Sequence, residues 1–181
     1  MHARSSTRPA PPRQTSRSDM SSLLVPVGDL IGSPGDDRPF SATVPVELSL
    51  EDAAVDGPMD VSGRAIGLID AVEAVFTVSA RARLTCTRCL TEWESLVEVA
   101  AHQFFRRAAD EEGYAIKGDE IDLFEPARDE LALALPTAPV CRQDCLGLCP
   151  ICGTDLNSEP CGGHGDDSDS PFATLRDLFD S

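Results

Sequence analysis

The chain has 181 residues and a formal net charge of −16, from 31 Asp and Glu against 15 Lys and Arg. That length suits one domain of ordinary size with a small appendage, and 41% hydrophobic and 25% charged residues are ordinary for a globular protein. The acidity argues against broad contact with nucleic acid, whose phosphates are met by Lys and Arg, and favours basic proteins as partners.

Residues 1–22 are rich in Ser, Pro and Arg and show no periodicity, so a disordered tail is expected, with Met20 as an alternative start of translation. Leu23-Leu24-Val25-Pro26-Val27 is too short for a signal-peptide core, and no apolar run approaches the roughly 20 residues that span a bilayer. The expectation is a cytoplasmic protein without membrane contact.

Residues 23–140 read as a β-rich domain. Phe40, Ala42, Val44, Val46, Leu48 and Leu50 alternate with mostly polar neighbours, the period of a half-buried strand. Pro45 places that strand at a sheet edge or a bulge. Gly57-Pro58 reads as a turn, followed by a weaker, Gly-interrupted strand from Val61 to Ile69. The cleanest alternation runs from Val72 to Leu84 and leads straight into Cys86; 95–105 is its returning partner. Residues 72–105 are therefore expected to form a long antiparallel hairpin with a cysteine turn at its tip. Residues 110–130 are dense in acid and read as a solvated loop or helix face. A short helix is predicted near 124–135, with Pro126 in its first turn and Pro136 and Pro139 stopping it. A cysteine-rich segment, 141–181, closes the chain. Its end, Ser170-Pro171-Phe172 to Phe179, carries the cap, first-turn Pro and apolar spacing of a short amphipathic helix. No internal repeat of supersecondary size is present. The expected class is α+β: mainly antiparallel β, as a sheet or partly open barrel, with a short helix, a C-terminal cysteine-rich zinc knuckle and a short terminal helix.

Seven cysteines are an odd number, and the cytosol keeps thiols reduced, so metal ligation is the better reading than a disulfide framework. Two Cys separated by two residues converge from one tight turn, where free amides also bond the sulfurs. Cys86-Thr-Arg-Cys89 and Cys149-Pro-Ile-Cys152-Gly153 have that form; Cys141 and Cys145 make a looser pair, and Cys161 and His164 another. Tetrahedral zinc takes four ligands, and seven Cys with one His supply two sets. The preferred grouping joins Cys86, Cys89, Cys141 and Cys145, leaving Cys149, Cys152, Cys161 and His164 as a local second site. A rival grouping pairs the two Cys-x-x-Cys units and leaves Cys141, Cys145, Cys161 and His164. A third holds a single zinc with spare cysteines. His164 lies among glycines, where a solvated His is the plain alternative; His102 is expected to be an ordinary strand residue. Nearly all-thiolate ligands close the metal, and hydrolase, phosphate-loop and deaminase motifs are missing, so no enzyme and no small-molecule substrate are expected.

The order of features resembles the YceD family, the large ribosomal RNA subunit accumulation proteins. The residues that carry the resemblance are Cys86-Thr-Arg-Cys89-Leu90, Glu120-Ile-Asp-Leu123, the helix leading to Pro136-Thr-Ala-Pro139-Val-Cys141, Gly147-Leu-Cys-Pro-Ile-Cys-Gly-Thr-Asp-Leu-Asn157 and Pro171-Phe-Ala-Thr-Leu-Arg-Asp-Leu178. It implies a role in large-subunit ribosomal RNA accumulation and ribosome biogenesis. Relatives often end the second cluster with Cys-x-Cys, where this chain has Cys161-Gly-Gly-His164. Against its acidity, Arg81, Arg83, Arg88, Arg106 and Arg107 stand on the hairpin as candidate RNA contacts. The expected partner is a basic ribosomal protein or an assembly factor held by the acidic surface. The alternatives are a small RNA-binding module using the hairpin and a zinc-stabilised interaction domain unrelated to ribosomes.

Overall fold

Strict alternation builds the longest strands of the computed structural model, which describes residues 22–107 and 114–164. In β4 (Ala71–Thr85) the even positions from Val72 to Leu84 all turn inward and are buried. β5 (Glu92–Arg106) returns antiparallel, in register from Ala71↔Arg106 to Thr85↔Glu92. On the other side of β4 lie β3 (Ala53–Gly67) and then β2 (Asp37–Ser49). The short β6 (Tyr114–Ala115) pairs parallel with the end of β5, giving the sheet order β2-β3-β4-β5-β6.

This antiparallel-rich sheet curls into a half-barrel. A two-stranded ribbon of β1 (Leu24–Pro26) and β7 (Glu120–Asp122), followed by α1 (Phe124–Ala134), packs into the same core. Val25, Val27, Ile121, Leu123 and Leu131 meet Val61, Val72, Val78 and Phe105 there. Burial of each such side chain contributes about 1.5–3 kcal/mol. Asp122 fastens the junction: its Oδ1 accepts the amide of Leu23 and the amide of Phe124, each at 3.0 Å. Among the described residues no helix is long and apolar enough to cross a membrane.

Three local readings of the sequence are corrected. Gly57-Pro58 is not a turn but part of β3, with Pro58 opposite Pro45 of β2. Both prolines lack an N–H. Pro45 sits on the edge strand, and residues 55–58 have no partner in β4 because the register shifts between Ala54 and Met59, so a bulge absorbs the second proline. Leu50, expected to end an inward-facing series, lies beyond β2 and is exposed. The acidic stretch 110–130 is more than a solvated face, since β6, β7 and the start of α1 lie in it and bury Ile116, Ile121 and Leu123. Pro126 is the third residue of α1, still where no helical N–H partner is lost. The expected tail and terminal helix fall on 1–21 and 165–181, outside the described residues.

Candidate metal centres

After β4 the chain reverses within six residues, Cys86-Thr-Arg-Cys89-Leu90-Thr91. Leu90 N–H donates to Cys86 O at 2.9 Å and Cys86 N–H to Thr91 O at 2.9 Å. Leu90 takes the left-handed conformation, φ 60°, to close the turn. The second unit, Cys149-Pro-Ile-Cys152-Gly153-Thr154, repeats this: Gly153 N–H donates to Cys149 O at 2.9 Å, Cys149 N–H to Thr154 O at 2.8 Å, and Gly153 has φ 74°. Even the threonines correspond. Thr91 Oγ1 lies 3.3 Å from Cys89 Sγ, and Thr154 Oγ1 3.2 Å from Cys152 Sγ. Sequence reasoning passed over both threonines, although Cys-x-x-Cys-x-Thr occurring twice is the signal that finds them.

The structure brings the thiols of Cys86, Cys89, Cys141 and Cys145 together, all within 4.8 Å of one another. Cys86 Sγ is 3.9 Å from Cys145 Sγ, and Cys89 Sγ 3.7 Å from Cys141 Sγ. A disulfide has sulfurs about 2.05 Å apart, whereas a tetrahedral ion with metal–sulfur bonds of about 2.3 Å has S···S edges of about 3.8 Å. The four donors fit such an ion. Backbone bonds fasten the two halves: Thr87 N–H donates to Pro139 O at 3.0 Å and Leu148 N–H to Arg88 O at 2.9 Å. The latter approach crowds Gly147, where a Cβ would sit 3.0 Å from Arg88 O and whose φ of 77° already favours glycine. Asn157 adds a donor: its Nδ2 lies 3.5 Å from Cys145 Sγ while its Oδ1 accepts Leu146 N–H at 2.9 Å. Trp93, Val140 and Leu148 pack against the cluster.

The second group holds Cys149, Cys152 and His164, with Cys149 Sγ 3.2 Å from His164 Nε2. Cys161 was expected to be the fourth ligand of this site but stands outside the group, half-buried. The two Cys-x-x-Cys units fall in different groups, which removes the rival partition.

Electrostatics separates the thiols. Hydrogen bonding from the backbone of Cys141 lowers Cys86 to about 6, with desolvation opposing and the backbone of Cys89 and Arg88 adding to the effect. The Thr91 hydroxyl lowers Cys89. Desolvation, then the neighbouring sulfurs, pushes Cys141 up to about 12. Thr154 lowers Cys152 to about 6, and the Cys149 thiol raises His164. Four sulfurs this close cannot all ionise alone; a divalent cation removes that conflict.

The candidate RNA contacts do not form one patch. Arg88 at the tip donates to Cys145 O at 3.0 Å and Gln143 O at 3.3 Å, bracing the cluster. Arg81 and Arg83 line a hollow on the outer face with Asp56, Asp60 and Glu94. Arg106 pairs in register with Ala71 at the other end of the hairpin, about 40 Å of strand away. Arg107 there faces Asp119 at 3.8 Å. His102 is exposed on β5 beside Glu73, 3.5 Å away, as an ordinary strand residue.

The fold and these clusters define a half-barrel of antiparallel strands carrying two cysteine-rich groups able to hold metal ions. The family model described as large ribosomal RNA subunit accumulation protein YceD matches residues 74–179, and the chain belongs to that family. It is similar to an uncharacterized protein of Mycobacterium tuberculosis H37Rv, 35% identical over 145 residues that cover 75% of this chain and 70% of the relative. An uncharacterized protein of Mycobacterium leprae is 33% identical over 179 residues, covering 91% of this chain and 81% of its own. No solved structure matches.

Proposed function

We propose that the chain is a non-enzymatic, zinc-stabilised factor that supports accumulation of large-subunit ribosomal RNA in the cytoplasm, acting through contact with a basic ribosomal protein or assembly factor. The observation that carries the metal reading is the group Cys86, Cys89, Cys141 and Cys145, whose sulfur spacing suits a closed four-thiolate ion. Zinc suits both groups, since it accepts four thiolates and equally thiolates with an imidazole. At the second site Cys149, Cys152 and His164 supply three donors, and Cys161, three residues before His164, is the candidate fourth. A catalytic metal would instead keep a fourth position for water. The family's name supports the ribosomal part of the reading.

Protein contact is favoured over RNA contact by the net charge of −16 and by the dispersal of the hairpin arginines. Deletion of the gene, with large-subunit rRNA measured against the small subunit, tests the ribosomal role; a selective fall is expected, and normal levels leave only an interaction domain unrelated to ribosomes. Binding to large-subunit rRNA fragments at physiological salt tests the contact. Weak binding is expected, and tight binding lost on Arg81/Arg83/Arg106→Glu would favour the RNA-binding module.

A further inference from the structure

β4 and β5 are equally long, but β5 pairs onward only at its end, where Phe105 and Arg106 meet β6. Among the described residues, no backbone hydrogen bond joins 92–104 to anything but β4. That leaves about 40 Å of open strand edge. Its inward side chains, Trp93, Val97, Val99 and Ala101, are only half-buried, whereas their β4 neighbours are covered. Its outward side chains include Glu92, Glu94 and Glu98, none in a salt bridge among the described residues, and 92–104 contains no Lys or Arg. An open edge of this kind is a template for another strand.

We infer that the β5 edge docks an extended segment of a basic partner protein as an added strand, with Lys or Arg alternating with apolar residues. The alternation follows from the pleat. Side chains of the added strand on the outer face stand opposite Glu92, Glu94 and Glu98, and those on the inner face cover Val97 and Val99. Main-chain bonds supply affinity and the alternating side chains supply selection. This inference rests on the protein-contact reading above and names the surface used.

The test titrates the zinc-loaded full chain with a ten-residue peptide of alternating Lys and Val, following amide hydrogen exchange. The expected result is at least tenfold slower exchange at alternate amides within 92–104. A peptide of the same composition in two blocks, Lys then Val, should bind at least tenfold more weakly. Glu92/Glu94/Glu98→Gln should weaken the alternating peptide about tenfold while metal content stays unchanged. Four results would overturn the inference. If exchange at 92–104 is already slow in the free monomer, another part of the chain occupies the edge. If it slows with chain concentration alone, a second copy does. Peptide mapped instead to Glu125, Asp129 and Glu130 of α1 sinks the edge but leaves protein contact standing. Neither peptide binding while rRNA binds tightly sinks both.

Discussion

The two thiol groups are built on the same six-residue turn, yet one is part of the fold and the other hangs from it. In the first, the turn ends two core strands, and its other ligands, Cys141 and Cys145, arrive more than fifty residues later from the segment after α1. Cys86 is fully buried, and Arg88, Gly147 and Asn157 stitch the halves together. In the second, every ligand lies between Cys149 and His164, and Cys152 and His164 are exposed. Closing the longer loop restrains the unfolded chain by only about 1 kcal/mol more than closing the shorter one, so the contrast comes chiefly from burial and from the bonds that stitch the first group to the strands. The same chemistry therefore serves architecture in one place and a local knuckle in the other.

The largest expected effect breaks the first group. Cys86→Ser should release one metal and lower stability by several kcal/mol, a fall in Tm on the order of 10 °C, read by calorimetry with metal analysis. Cys152→Ser should release the other metal and move Tm by only about 2–4 °C, with the strand signal in circular dichroism intact. Loss of the same metal in both variants would contradict the separation of the groups.

How far this contrast was legible in the sequence depended on spacing. Period-2 runs from Val72 to Leu84 disclosed the hairpin, because a strand with one covered face must alternate. β1 and β7, at three residues each, are too short to show a period. Gly57-Pro58 carried a turn signature that a register shift against β4 overrode. Counting ligands pointed to two sets, but Cys161 shows its limit, since ligand number says nothing about which way a Gly-Gly link turns. The arginines looked clustered because the chain passes them close together in sequence at each end of two strands, while the hairpin holds those ends apart.

Acidification should separate the groups by degree. Cys86 and Cys152 are lowered to about 6 in the metal-free thiol groups, and as pH falls protons compete with metal for both sulfurs, so metal is held at neutral pH and lost on acidification. His164 is raised, so its proton competes with metal at higher pH than an ordinary His. Metal release followed with a colorimetric chelator should begin at the second group and reach the first at lower pH. The smallest effect separates the two turns themselves. Leu90→Gly relieves a left-handed leucine that is 61% exposed, and should stabilise the chain by about 0.5–1 kcal/mol in denaturant titration. Gly153→Leu should bring a similar loss, confined to metal affinity at the second group.

The central claim is that both groups hold zinc at once. Elemental analysis of the full chain, purified without added metal and referenced to sulfur, tests it directly. Close to two zinc ions per chain is the predicted result; one ion, none, or iron in place of zinc would contradict it.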